Sequence, residues 1–261
     1  LTYEYLDQVL LPTLEARFSI QVERGLHRRA WSLGPQSRGE IWLKVQPLPP
    51  KQKLQFNPPQ LKAHSRPFEV CSIDASIIGP VASHDSLQEL LTSDLGNLFP
   101  SAKVNYKVME DSRTDGRWYI LLVATSTAGL RWGRDVVCGM PKKTKSREVF
   151  VRRLASDVCK ELYKEVSVGG QVDEHLQDQV VCFQALTEGY SSFPRDDSAS
   201  AIEHLEITEE EAHRWDVNGP FGNGSLHTRT ARWVVHELLP EVEFYSNGDT
   251  VKGVGFSSLP G

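Results

Sequence analysis

Two histidines stand among residue types suited to phosphorus chemistry. His227 follows the glycine-containing stretch GPFGNGSL and precedes a helix-like run, TARWVVHELL. Backbone N–H groups and the helix dipole at such a start favour a bound phosphate. An imidazole placed there could attack phosphorus and hold the product as a phosphoramidate. A capping or half-buried structural histidine is the simpler alternative. The second group lies in VDEHLQDQVV, where His175, Asp178 and Gln179 are three and four residues apart and share one helical face. A ring that stacks on a base, beside a carboxylate and an amide that bond its edge, suits adenine; a solvated polar face with ion pairs accounts for the same residues without a ligand. His175 and Asp178 could also be half a metal site, although no companion ligand cluster accompanies them.

The run PKKTKSREVFVRR concentrates Lys142, Lys143, Lys145, Arg147, Arg152 and Arg153, and a second group, Arg24, Arg28, Arg29 and Arg38, flanks the first turn. Either could touch phosphates, and either could be a solvated face. The whole chain carries 29 Lys and Arg against 34 Asp and Glu, a net charge of −5. No global positive field therefore holds nucleic acid, and any such contact must be local. No Walker-type loop, dinucleotide fingerprint, H-E-x-x-H or G-x-S-x-G motif occurs. The longest apolar run, near Tyr119 to Ala124, is far short of the ~18–20 residues a membrane helix requires. Cys71, Cys138, Cys159 and Cys182 form no C-x-x-C pair and read as buried free thiols. With 39% hydrophobic and 24% charged residues, the composition excludes collagen-like, coiled-coil and disordered classes.

The elements that must position these groups follow from periodicity. Tyr5, Val9, Leu10, Leu14 and Phe18 fall at helical spacing, with Pro12 demanding a kink. Strands are expected at Ser19–Glu23 and Glu40–Gln46, linked through Gly34, Pro35 and Gly39. Prolines crowd Pro47–Pro67 and interrupt regular structure. The next block reads as strand Phe68–Ile78, helix Ser86–Leu98, strand Lys103–Met109, a turn at Asp115-Gly116, strand Arg117–Thr125 and a strand around Asp135–Met140. Ser146 caps a helix through Glu165 with an apolar stripe of Phe150, Leu154, Val158 and Leu162. A helix over Asp173–Leu186 follows. Thr187–Gly224 reads as a polar, acidic loop, partly disordered. Helix Thr230–Leu239 and strands Val242–Tyr245 and Thr250–Phe256, joined at Asn247-Gly248, close the chain. Leu1 leads straight into a helix without the regions of a signal peptide, and reads as the start of a truncated chain.

The order GGQVDEHLQDQVV, then SLHTRTARWVVHELLPEVEF, then GVGF resembles the C-terminal part of the RNA 3′-terminal phosphate cyclases. That family carries a V-D-E-H/Y-L-x-D-Q stretch followed by L-H-T-x-T-A. The resemblance implies an α/β (α+β) fold of βαβ-type units, with helices packed on four-stranded sheets and interrupted by a smaller α+β insert domain. Residues 66–166 would be the insert; residues 1–65 and 167–261 would be parts of the catalytic domain. It also implies an ATP-dependent, ligase-type enzyme that converts an RNA 3′-phosphate to a 2′,3′-cyclic phosphate through a histidine–AMP intermediate. His227 matches the nucleophile, His175 the ring against adenine, and Asp178 and Gln179 the D-Q pair near the nucleotide. ATP, a divalent metal (magnesium or manganese) with unassigned ligands, and RNA 3′-phosphate ends are the implied partners, with no membrane and no obligate protein partner. The implied setting is the nucleus or nucleoplasm. Where many members have P-x-G-G-G, this chain reads SLGPQSRGE, and the family's glycine-rich N-terminal motif has no counterpart. The chain alone is therefore expected to lack much of the site for ATP phosphates, metal and the RNA end, and to be impaired. A noncatalytic cyclase-like protein of ribosomal RNA processing is the competing expectation.

Overall fold

The computed structural model describes residues 2–31, 38–59, 68–141, 143–144, 146–195, 221–222 and 224–257. The fold is α/β. The chain divides into two compact units, each assembled from three separate stretches: Leu1–Val9, Arg24–Trp42 and Leu61–Ser167 form the first, and Leu10–Glu23, Leu43–Gln60 and Val168–Gly261 the second.

The first unit is built on a four-stranded sheet. Its strands β3 (Val70–Gly79), β4 (Lys103–Asp111), β5 (Trp118–Ser126) and β6 (Arg131–Cys138) lie in the order β4-β3-β5-β6. Strands β3 and β4 run parallel and are connected by helix α3 (His84–Leu98), a βαβ unit, whereas β5 is antiparallel to both β3 and β6. The unbroken apolar run of β5 fits a strand covered on both faces. On one face Trp118, Ile120 and Leu122 join Ile73 and Ile77 of β3, Leu87, Leu91 and Leu95 of α3, and Leu154, Val158 and Leu162 of α4 (Arg147–Ser167).

The opposite face is covered by the start of the chain, helix α1 (Tyr3–Tyr5) and the π-helical turn Leu6–Leu10. The Gln8 amide donates to Ser76 Oγ at 2.8 Å, and Thr2 bonds the Tyr119 hydroxyl at 2.8 Å and Asp135 at 3.1 Å. Gly133 of β6 permits this close approach, since a Cβ there would stand 2.8 Å from atoms of both Tyr5 and Val9. The π turn is the form the expected kink takes. Pro12 then falls in the first turn of α2 (Leu11–Phe18), where its missing N–H costs nothing. Strand β6 begins at Arg131, earlier than the apolar pattern suggests, because the turn after β5 is tight. Ser126 Oγ accepts from the N–H of Ala128 and of Leu130, which sends Trp132 into register opposite Ala124.

β1 (Val22–Arg28) and β2 (Glu40–Val45) form a two-stranded sheet. The first starts later than Ser19 because Ser19 takes the left-handed conformation, φ 55°, that caps α2. The expected link residues Gly34 and Pro35 lie outside the described residues.

In the second unit, β7 (Glu188–Ser192), β8 (Glu243–Tyr245) and β9 (Thr250–Val254) form an antiparallel sheet in the order β7-β9-β8. Helices α5 (Glu174–Leu186) and α6 (Leu226–Leu238) share its core, where Val181, Ala185, Val242, Phe244 and Val251 meet Ala231 and Val235. β7 falls inside the segment 187–224 expected as a loop. It lacks apolar alternation because its buried side chains are hydroxyls satisfied sideways: Ser191 donates to the Val251 carbonyl and Ser192 bonds Thr250 Oγ1 at 2.8 Å. Residues 196–220 of that segment lie outside the described residues.

All four cysteines are free, but only Cys159 is sealed in the core; Cys71 and Cys182 are exposed and Cys138 is half-buried. Burial pushes the Cys159 thiol from 9.0 up to about 12. As pH rises from 9.0 toward about 12 the unfolded chain therefore releases a proton that the folded chain keeps, and stability falls. The expected extra slope is up to about 1.4 kcal/mol per pH unit. In urea titrations a Cys159→Ala chain should lose stability less steeply over that window; parallel losses would contradict the assignment. An alkylating reagent near neutral pH should modify Cys71 and leave Cys159 untouched until the chain unfolds.

Candidate functional site

Each candidate histidine sits at the second position of a capped helix. Asp173, fully buried, caps α5: its Oδ1 accepts from the N–H of His175 at 3.0 Å and of Leu176 at 2.9 Å. Ser225 caps α6, and its Oγ accepts from the Thr228 N–H at 3.1 Å. Helix α6 therefore starts at Leu226, earlier than the expected Thr230, because the serine substitutes for the missing first-turn acceptor. His227 consequently lies in the first turn rather than ahead of the helix. Helix geometry leaves the N–H groups of Leu226 and His227 without an intrahelical acceptor. The His227 ring is exposed, beside N–H groups and a dipole that both favour an anion.

On α5, Leu176, Gln177, Val180, Val181 and Gln184 face inward, which leaves His175 exposed and Asp178 and Gln179 half-buried on the other side. The Gln179 amide turns back onto its own helix and donates to the His175 carbonyl at 2.6 Å. Asp178 differs: its Oδ1 is buried and has no hydrogen-bond partner among the described residues. An unpartnered buried carboxylate oxygen is uncommon in a folded chain and sets Asp178 apart from its neighbours on the helix. Among the described residues no group of three or more His, Cys, Asp and Glu is placed to hold a metal ion. None of their helices is long and apolar enough to cross a membrane.

The two helices are joined by buried polar residues that the sequence pattern did not single out. Thr228, next to His227, donates through Oγ1 to Gln177 Oε1 at 3.5 Å, and Gln177 is next to Asp178. Gln177 Nε2 donates to Asp249 Oδ1 at 3.1 Å, and Asp249 Oδ2 accepts from the Arg195 N–H at 3.1 Å. Arg232, 1% exposed, donates to the carbonyls of Phe221 at 3.0 Å and Asn247 at 3.4 Å, and its guanidinium stands 3.6 Å from Asp249 Oδ1. Burial lowers the Arg232 pKa, and Asp249 opposes that shift. The immediate chain neighbours of His227 and Asp178 are thus in contact.

The basic residues take a different place. Lys142 and Lys145 lie outside the described residues, and Arg152 and Arg153 are exposed on α4, with Arg153 3.4 Å from Asp157. Arg147 pairs with Asp115 at 2.7 Å, Arg24 with Asp7 at 2.7 Å, and Arg29 with Glu4 at 2.6 Å and Glu110 at 2.9 Å. These pairs reduce the positive charge the two groups offer to an anion. Arg28 and Arg38 are exposed.

Comparison with known proteins gives two findings. The family model described as RNA 3′-terminal phosphate cyclase matches residues 1–244. An RNA 3′-terminal phosphate cyclase of Drosophila melanogaster is 26% identical over 198 residues, which cover 72% of this chain and 49% of the relative. The chain thus spans about half the length of the curated relative it matches.

Proposed function

The chain belongs to the RNA 3′-terminal phosphate cyclase family, and from that premise we propose that it takes part in ATP-dependent closure of an RNA 3′-phosphate to a 2′,3′-cyclic phosphate, with His227 as the nucleophile. The observation that carries the reading is the exposed imidazole of His227 in the first turn of a capped helix, whose neighbour Thr228 touches the neighbour of Asp178.

In the first step a lone pair on the His227 imidazole forms a P–N bond to the α-phosphorus of ATP, the α–β bridging P–O bond breaks, and pyrophosphate leaves. For this the attacking nitrogen must be unprotonated, and the proton on the other ring nitrogen is lost as the phosphoramidate forms. In the second step an oxygen of the RNA 3′-phosphate attacks the same phosphorus, the P–N bond breaks, and AMP passes to the RNA end. In the third step the adjacent 2′-hydroxyl loses its proton, its oxygen bonds the 3′-phosphorus, and AMP departs. Positioning and charge stabilisation dominate displacements of this kind.

The first-turn N–H groups of α6 would face the phosphate, and the half-buried Asp178 carboxylate would accept from the adenine amino group with the His175 ring against the base and Gln179 beside it. A divalent cation, magnesium or manganese, would neutralise phosphate charge when bound; the described residues offer no ligand cluster for it, and no step above depends on it. We place the family's insert domain within the first unit, around residues 66–166.

Incubating the chain with ATP labelled at the α-phosphorus tests the first step. Covalent label is expected that is lost in acid and persists in alkali, as a phosphoramidate requires, while ATP labelled at the γ-phosphorus leaves none. A chain that takes up no α-label in the presence of magnesium or manganese is a binding module or an incomplete site, and the proposal fails for it.

A further inference from the structure

Building on the proposed role of His227, we infer that Gln177 is its positioning residue, holding the helix start that bears His227 in register with the helix that bears Asp178. The inference rests on a directed chain of hydrogen bonds. Thr228 N–H donates to Ser225 Oγ at 3.1 Å, and Ser225 Oγ and Thr228 Oγ1 are themselves 3.1 Å apart. Thr228 spends its hydroxyl proton on Gln177 Oε1 at 3.5 Å, so the serine hydroxyl is the donor to the threonine. Gln177 then donates from Nε2 to Asp249 Oδ1 at 3.1 Å. Each group thus accepts from the one before it and donates to the next, and the chain ends on a carboxylate. Ending on a charge polarises the bonds behind it in one direction.

Burial makes the arrangement strict. Gln177 is 4% exposed and Thr228 is fully buried, so neither can exchange its partner for water at low cost. Asp249 is fixed in turn by the Arg195 N–H and by the Arg232 guanidinium 3.6 Å away, so the anchor itself cannot rotate freely. Among the described residues the Gln177 side chain hydrogen-bonds Thr228 and Asp249 and neither exposed ring. Its effect on His227 therefore acts through the backbone of the first turn of α6, where displacement of the nucleophile by about 1 Å can cost a hundredfold in rate.

The test compares Gln177→Met and Thr228→Val, which keep volume and lose the bond, with Thr228→Ser, which keeps the hydroxyl. In the α-label assay on the full chain, the first two should slow adenylylation about thirtyfold with the half-saturating ATP concentration within about threefold of wild type. Thr228→Ser should stay within about threefold in both. Asp249→Asn, which keeps the shape and removes the charge, should slow the reaction about tenfold and serves if either isosteric variant fails to fold. A rise in half-saturating ATP with an unchanged rate, or a Thr228→Ser chain as slow as Thr228→Val, overturns the inference. Amide hydrogen exchange separates it from the proposed function. The N–H groups of Thr228 and Arg229 should exchange at least about tenfold faster in Gln177→Met and Thr228→Val but not in Thr228→Ser, whether or not the chain takes up label. Equal exchange in all four chains refutes the positioning role; unequal exchange in a chain that takes up no label leaves it standing and removes only the nucleophile.

Discussion

A His227→Asn chain is expected to lose covalent α-label by a factor of about a thousand or more. Asparagine keeps a polar, planar group at an exposed position in the first turn of α6 and has no nitrogen lone pair able to form the P–N bond. The helix cap is made by Ser225 and not by His227, so the substitution should change stability by no more than about 0.5 kcal/mol. Matched urea midpoints with and without the histidine would assign the loss to chemistry alone. Label that persists at wild-type level in the asparagine chain would transfer the nucleophile to another residue.

A large loss of stability is expected from Gly253→Ala. Gly253 sits in β9 against the C-terminal end of α5, and a Cβ there would stand 2.3 Å from the Thr187 carbonyl oxygen, 2.4 Å from that of Gln184 and 2.9 Å from that of Ala185. These are backbone atoms, and two of them are already committed: the Thr187 N–H donates to the Gln184 carbonyl at 3.2 Å, and the Gly255 N–H to the Thr187 carbonyl at 2.9 Å. Relief of the clash must open the end of α5 or break the β7–β9 pairing. A cost of about 3 kcal/mol or more follows, at the upper end for an added methyl group. Gly96→Ala is the control, because nothing lies within 4 Å of a Cβ at that helical position. It should stabilise the chain by about 0.5–1 kcal/mol. Urea unfolding of the two variants should move in opposite directions; a Gly253→Ala midpoint close to wild type would mean that α5 and β9 tolerate separation.

The parts legible in the sequence are those held by local rules. Helix α4 announces itself by its apolar stripe and the serine before it, β5 by an unbroken apolar run, and α5 by the Gly169-Gly170 pair that precedes it. The segment Glu188–Ser192 escapes such rules because hydroxyl bonds to β9 replace an apolar face. The π turn escapes them because a proline forecasts a break without specifying its form. His227 and the His175 face are visible as residue types at a spacing. The residues that join them are not, since Gln177 reaches Thr228 across 51 positions and Asp249 across 72. A glutamine in a helix says nothing by itself about partners so far along the chain. The thiols show the same limit, for the residue type indicates a free cysteine and only the fold decides that Cys159 alone is enclosed.

The cover of the four-stranded sheet by the first residues of the chain has a consequence for biosynthesis. Translation delivers Tyr5 and Val9 more than a hundred residues before Gly133, the strand position they close upon. At elongation rates of about 5–20 residues per second, the nascent chain carries that apolar patch uncovered for several seconds. Holdase chaperones at the ribosome exit have that interval in which to bind it, and an expression host short of them should return more of this polypeptide as inclusion bodies.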